Sequence, residues 1–460
     1  MKRQNSAKTD NLPFDVIKRI VLSGGRVHFI GVGGVSMYSL ARLTLSLGAA
    51  VSGSDREESE RTRSLSSLGA NIIIGHNSEN LRGSRLVVFS HAIDEEDPEL
   101  IAARESNIPI ANRAEYMGAM MLEYKGRIGV SGSHGKSTTV ALLDAIFSRA
   151  MTNPTVLSGA LLDNGEPYRL GSDGILIYEA CEYRDSFLRF SPTVCIALNM
   201  ELDHTDYFPD IESLRLSFLK ALNRARDLAV ISGDDQNLKK IKTKITTRTL
   251  TFGRGRENDY RYEITAFKGE KFEFNIYKFD NIIGSFSLNI PGVFNVHNAA
   301  AAIVTALEYG IDLETVRDAV SAFTGVRRRL EYLGDVRGRA VYYDYAHHPT
   351  EIGASIDAIR GLCRGQITLL FRPHTYSRTA SLWDETCRAL SLANYPLVCD
   401  IYPAREEPIP GVTAENLARD CGGVYLPDEN AAEYVLRNTR GTIVLMGAGD
   451  LTEIKNQLMR

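Results

Sequence analysis

Apolar residues in this chain gather in short runs that end in glycine or in a cluster of polar side chains. Val27 to Ile30, Leu86-Val-Val-Phe89, Ile175-Leu-Ile-Tyr178, Val194-Cys-Ile-Ala-Leu198, Ile367-Thr-Leu-Leu-Phe371 and Thr442-Ile-Val-Leu-Met446 have the near-continuous apolar content of buried parallel strands. Between them apolar positions recur at helical spacing, as in Leu40, Ala41, Leu43 and Leu47, or Val140, Leu142, Leu143, Ile146 and Phe147. This alternation predicts an α/β protein with parallel sheets. From about Thr247 to Leu288 polar and apolar positions alternate instead (Tyr262, Ile264, Phe272, Phe274, Ile276), which predicts an antiparallel insertion. The first thirteen residues are polar and form a disordered lead-in by this reading, extended to residue 25, before the first strand.

Two strand ends carry glycine turns. Gly31-Val-Gly-Gly34 follows the first strand, and Asp55 lies about twenty residues further on, the spacing of a dinucleotide's ribose ligand. Gly31, Gly33, Gly34 and Asp55 are therefore candidates for a phosphate-bearing ligand. The second turn, Gly132-Ser-His-Gly-Lys-Ser-Thr138, is a phosphate-binding loop. Gly132 and Gly135 free backbone N–H groups to turn inward, and Lys136 supplies a point charge. Ser137 offers a hydroxyl to Mg²⁺, and the following helix points its positive end at the same anion. Val130 stands where the common motif has its first glycine, so the spacing is not the standard one.

The remaining chemistry also sits at strand ends, the edge where open α/β sheets bind ligands. Glu179 and Glu182 follow one strand, and Asn199-Met-Glu-Leu-Asp-His204 another; a strand-end acid beside a phosphate loop is a Mg²⁺ ligand, a surface residue or a helix cap. Asn295, His297 and Asn298 open an alanine-rich helix, where they contact a base or cap the helix. Asp344-Tyr-Ala-His-His-Pro-Thr-Glu351, His374 and Arg378 crowd the strand ends of a third unit, after a hinge at Val326-Arg-Arg-Arg329.

At 460 residues, with 44% hydrophobic content, there is room for about three domains at roughly 150 residues each. A net charge of −4 and a pI near 6.2 exclude a broad basic nucleic-acid surface. The charged stretch Asp55 to Arg63 reads as a solvated loop. Six scattered cysteines without zinc spacing point to reduced thiols in the cytosol. No apolar run of membrane or signal-peptide length precedes Phe14.

Taken in order, these motifs resemble the Mur ligases of peptidoglycan synthesis, over nearly the whole chain after about residue 26. The resemblance implies a Rossmann-like UDP-sugar domain (26–124), a central P-loop ATPase domain (125–329) and a Rossmann-like C-terminal amino-acid domain (330–460). It is greatest to the members that join L-alanine to the lactyl carboxylate of UDP-N-acetylmuramate, with ATP and Mg²⁺. By resemblance, Gly31, Gly33 and Gly34 would face the UDP diphosphate. Gly132, Ser133, His134, Gly135, Lys136, Ser137 and Thr138 would hold the ATP phosphates. Glu179 and His204 would bind a second Mg²⁺, Asn295 and Asn298 the base, Asp344 the ribose, and Arg329 would reach the γ-phosphate. Tyr345, His374 and Arg378 would receive alanine. The implied setting is the cytoplasm, as monomer or homodimer, with no nucleic-acid or membrane partner.

The chain departs from the family pattern at several positions. Cys181 stands in place of an acid, Tyr183 of a serine, and Thr375 of an arginine found in some members. Ser36 and Tyr38 alter the first glycine turn, where Tyr38 either narrows the sugar site or only packs. Rival readings are a murein-peptide ligase, a nicotinamide-dependent oxidoreductase argued from Gly31 to Asp55, and a silent nucleotide-binding regulator.

Overall fold

The computed structural model describes residues 12–205, 207–363, 365–404 and 406–460. Three sheets follow one another along the chain. In the first, all pairs are parallel, and the spatial order is Asn71–Ile74, Val51–Asp55, Val27–Ile30, Leu86–Phe89, Ile110–Asn112. The order reverses direction at Val27–Ile30, so the crevice beyond its carboxyl end, at Gly31, is a topological switch point.

The central sheet has ten strands. Its parallel heart runs Leu228–Ser232, Val194–Ala197, Gly126–Ser131, Ile175–Glu179, which puts the phosphate loop between the strand ends at Ala197 and Glu179. The predicted insertion is present as the antiparallel strands Tyr260–Lys268, Lys271–Lys278 and Asn281–Leu288. It is not a separate layer: Tyr260–Lys268 pairs in parallel with Thr249–Gly253 and so extends the central sheet. Helices Lys136–Arg149 and Val293–Glu308 share one apolar core over this sheet, the latter through buried Ala299, Ala300, Ala301 and Ala302. In the third sheet Arg339–Asp344, Thr442–Met446, Ile367–Phe371 and Tyr395–Val398 are parallel neighbours, with Glu331–Val336 antiparallel on one edge.

Two sequence expectations need correction. The lead-in does not extend to residue 25: Phe14–Leu22 is a helix whose Ile17, Ile20 and Val21 join the core of the first unit, because their spacing puts all three on one face. The disorder expected before it falls on residues 1–11, outside the described residues. The charged stretch after Asp55 is only partly loop, since Glu60–Ser67 is a helix started by a reciprocal capping box between Ser59 and Thr62.

The units are tied to one another. The buried Tyr38 stands edge-on to Tyr168 at 5.6 Å, and its hydroxyl lies 3.0 Å from Ser64 Oγ and 3.5 Å from Glu166. Tyr38 thus packs between the first and central units. At the hinge, Arg328 (φ +58°) and Leu330 (φ +50°) both take the left-handed conformation that side chains disfavour. Arg328 is held there by hydrogen bonds from its guanidinium to the carbonyls of Gly447 and Gly449, and by the rings of Tyr343 and Tyr345.

Candidate functional site

The phosphate loop leaves Gly126–Ser131 at Gly132 (φ +140°) and enters helix Lys136–Arg149 at Gly135 (φ +86°), conformations that favour glycine. A Cβ at Gly135 would stand 2.3 Å from Asn298 Oδ1, so the glycine is also needed for close approach. The strand-end segment from Asn199 clamps the loop. The His134 N–H donates to Asn199 Oδ1 at 2.8 Å, Ser133 Oγ donates to the Glu201 carbonyl at 3.0 Å, and the Glu201 N–H returns a bond to Ser133 Oγ at 2.9 Å. Lys136 folds back onto the loop, donating to the carbonyls of Gly132 and Ser133, and stands 3.3 Å from Glu182 Oε2.

Beside the loop lies a cavity of about 400 Å³, lined by His134, Gly135 and Thr138, by Asn295 and Asn298, and by Arg329, Asp344 and Glu351. It brings together residues from three predicted groups: phosphate, base and ribose. Asn295 and Asn298 do not supply the cap of helix Val293–Glu308, whose first position is Gly292 without a side-chain cap bond. Instead Asn295 Nδ2 donates to the Pro291 carbonyl at 2.6 Å and Asn298 Nδ2 to Asn295 Oδ1 at 3.1 Å, which fixes both amides at the cavity wall. Asp344 is buried, and burial pushes its carboxyl up to about 6 against the Ser355 hydrogen bond and the Arg329 charge. Arg329 donates to Ser137 Oγ at 3.4 Å and lies over the Tyr345 ring at 5.0 Å, so the hinge arginine does reach the phosphate loop.

The cavity also contains residues to which the sequence assigns no role: Glu201, Thr350 and Glu351. His134 lies between two of these carboxylates, its Nε2 3.2 Å from Glu201 and its Nδ1 3.1 Å from Glu351. Burial opposes its charge, but Glu351 and Glu201 outweigh burial and push its pKa up to about 9, so both nitrogens donate. Thr350 Oγ1 donates to Glu201 at 2.8 Å, a second bond from the third unit to the central one. The only sequence signal for these partners was the polar character of the strand ends.

Glu179 Oε1 accepts from the Gly159 N–H at 2.6 Å and from Ser158 Oγ at 3.3 Å, and Oε2 takes no hydrogen bond among the described residues. Burial lowers the pKa of His204 despite Asp203 and Glu182, keeping the imidazole neutral, the form that binds metal. The hydroxyl of Ser137 is a donor suited to one Mg²⁺ ion, and the carboxylate of Glu179 with the imidazole of His204 to a second, each ion taking its other ligands from phosphate oxygens. Among the described residues, the compact three-ligand groups are His134, Glu201 and His348, and His76, Asp97 and Glu99; neither includes Glu179 or His204. An ion held partly by its nucleotide needs no such preformed cage. Cys181, in place of the family's acid, is a thiol raised by burial and by Glu182, and so is a poor ligand in that state.

A second cavity, of about 730 Å³, is lined by Asp203, His204, His374, Thr375, Arg378 and Glu406. His374 stacks on Tyr402 at 5.7 Å, and its buried Nδ1 has no hydrogen-bond partner among the described residues. Burial, with His347 and Arg378 nearby, pushes its pKa down to about 4. Tyr345 does not line this cavity; its ring lies under Arg328 and Arg329. At the N-terminal turn, Gly31 adopts φ +75° and the Gly33 N–H donates to Asp55 Oδ2 at 2.8 Å. Two residues assigned to a ligand are thus bonded to each other, and Asp55 holds the glycine turn.

Comparison with known proteins agrees with this arrangement. Residues 26–125 match the model of the Mur ligase family catalytic domain, 130–306 the Mur ligase middle domain, and 328–449 the Mur ligase glutamate ligase domain. The chain is 37% identical to a UDP-N-acetylmuramate–L-alanine ligase of Caldicellulosiruptor bescii, over 95% of this chain and 98% of the relative. It is 39% identical to the enzyme of the same name from Caldicellulosiruptor saccharolyticus, over 93% of this chain and 97% of the relative. The solved UDP-N-acetylmuramate–alanine ligase of Thermotoga maritima superposes with a TM-score of 0.81 at 26% identity, covering 94% of this chain and 98% of that one. A phosphate loop clamped by a polar strand end, a hinge arginine that reaches it, and three domain models matched in order lead to one assignment: the chain belongs to the Mur ligase family.

Proposed function

We propose that this chain is an ATP-dependent ligase that joins L-alanine to the lactyl carboxylate of UDP-N-acetylmuramate in peptidoglycan precursor synthesis, through an acyl phosphate. The observation that carries the reading is the loop from Asn199 to His204: its beginning clamps the phosphate loop, and its end lines the cavity that holds Arg378. Phosphate transfer and acceptor binding therefore meet on one short segment. The domains taken for this reading are 26–124 for the UDP-sugar, 125–329 for ATP and 330–460 for the amino acid. The setting is cytoplasmic, as monomer or homodimer, without nucleic-acid or membrane partners.

A carboxylate acylates poorly because its leaving group would be an oxide. Transfer of the γ-phosphoryl to that oxygen, with ADP leaving, replaces it with a phosphate. The amine of alanine then attacks the carbonyl carbon, loses a proton and expels inorganic phosphate. The first step brings two anions together, and Lys136 and Arg329 neutralise that approach. The loop N–H groups receive phosphate oxygens, Asn295 and Asn298 meet the base, and Asp344 the ribose. Ser137 would hold one Mg²⁺ and Glu179 with His204 a second, and these ions would supply further charge neutralisation at the phosphates. Gly31, Gly33 and Gly34, with Asp55 bracing the turn, receive the UDP diphosphate. Arg378 takes the alanine carboxylate, beside His374, and Tyr345 supports Arg329. Contacts from Thr350 and Glu351 to the central unit close the site against water, which would otherwise hydrolyse the acyl phosphate.

The test is ATP-dependent phosphate release with UDP-N-acetylmuramate plus L-alanine, plus a muropeptide, or plus neither. Turnover with alanine and little with the other two is the expected outcome. Preference for the peptide would make the chain a murein-peptide ligase, and no release under any condition would overturn the reading.

A further inference from the structure

Arg378 is the guanidinium assigned to the acceptor carboxylate under the proposed function, and the role inferred for its neighbour Asp203 rests on that assignment. The helix that carries Arg378, Tyr376–Ser381, belongs to the third unit. Its Nη2 lies 3.1 Å from Asp203 Oδ1 and 3.2 Å from Oδ2, and Asp203 belongs to the central unit, on the segment after strand Val194–Ala197. The side chains are 17% and 13% exposed, so water screens the pair little. Asp203 is itself oriented, because its Oδ1 accepts the N–H of His204 at 2.7 Å. Both residues line the 730 Å³ cavity.

The manner of pairing separates two possible roles. A carboxylate that occupied the arginine in place of substrate would take two guanidinium nitrogens in a fork-to-fork pair. Asp203 puts both oxygens on one nitrogen, and Nε and Nη1 make no hydrogen bond among the described residues. Donors are left for a second carboxylate. The pair also settles a long side chain that otherwise carries several rotamers, which lowers the ordering cost that the acceptor would have to meet.

We propose that Asp203 is a positioning residue for the acceptor: it holds Arg378 across the boundary between the central and third units, and acts on alanine only through that guanidinium. Because Asp203 precedes His204 in the chain, the same segment sets the acceptor anchor at a fixed place relative to the phosphate side of the site.

Steady-state kinetics of Asp203→Asn, Asp203→Glu, Arg378→Lys and the Asp203→Asn/Arg378→Lys double variant test this. Asp203→Asn should raise the KM for alanine about 10- to 100-fold, the range for losing one charge-assisted hydrogen bond, with kcat and the KM for ATP moving much less. Asp203→Glu, which keeps the charge, should recover most of the loss. The double variant should be no worse for alanine than the worse single variant, because the two changes remove one interaction. An unchanged or lowered alanine KM in Asp203→Asn would overturn the proposal. So would a collapse of kcat with an altered Mg²⁺ requirement, or a Glu variant no better than the Asn one. If Arg378→Lys alone leaves the alanine KM unchanged, the assignment of Arg378 fails, whatever Asp203 does. If only the Asp203 variants are silent, the assignment stands and this inference falls.

Discussion

The Lys136 ammonium stands 3.3 Å from Glu182 Oε2, and Glu182 is buried to 3% exposure. Burial opposes the lysine's charge, but the carboxylates of Glu182 and Glu179 outweigh it, and the pKa of Lys136 is held above its ordinary value. The residue proposed to meet the outer phosphates is therefore part of a half-buried ion pair.

Lys136→Ala should accordingly have two effects. Turnover should fall about 10²- to 10³-fold, the usual loss for one preorganised charge contact. Stability should fall too, by about 1–3 kcal/mol, because Glu182 is left buried without its partner. Adding Glu182→Gln should restore much of the stability and none of the rate. Thermal melts and kcat for the three proteins check both; full stability in Lys136→Ala would show that Glu182 does not need the pair.

Gly135→Ala is expected to weaken ATP binding well before it unfolds the chain. The left-handed backbone costs a side chain about 1–2 kcal/mol, and the new methyl would push against the Asn298 amide that lines the cavity. Nucleotide titration of the variant should show the loss, with partial recovery when Asn298→Ala is added. Wild-type affinity in Gly135→Ala would remove Asn298 and this turn from the nucleotide pocket.

The His134 cluster sets a pH dependence. Its folded pKa of about 9 lies above the ordinary 6.5, so its stabilisation is complete below about pH 6.5 and is lost as pH rises through about 9. Against His134→Gln, the wild-type advantage in urea midpoint should therefore shrink between pH 6 and pH 10. A difference that stays constant over that range would mean that the imidazole does not carry its proton between Glu201 and Glu351.

Glu179→Gln should raise the Mg²⁺ concentration needed for half-maximal phosphate release. A neutral amide is a weaker ligand for a hard cation, while its oxygen can still accept the Gly159 and Ser158 bonds that orient Glu179. His204→Ala should behave alike. Magnesium titrations beside binding of the UDP-sugar decide the matter: weakened sugar binding with an unaltered Mg²⁺ requirement would refute the metal assignment.

How much of this was written in the sequence depends on range along the chain. The two glycine turns, the strand runs ending in polar clusters and the antiparallel pattern are local, because backbone conformation and apolar spacing act over a few residues; the turns and runs appear where the sequence puts them, while antiparallel pairing begins at Tyr260 and not at Thr247, since Thr249–Gly253 pairs in parallel on both sides. The phosphate loop and the division into three α/β units were legible for that reason. The partners of the site residues were not. Glu182 meets Lys136 from 46 residues away, Glu201 meets His134 from 67, and Asp203 meets Arg378 from 175. Each pairing depends on which strands become neighbours and how the third unit lies against the second. A buried charge accepts whatever counter-charge the packing brings to it, and nothing in its local sequence names that partner. The buried Tyr38 shows the same limit: its ring meets Tyr168 only once the first and central units come together.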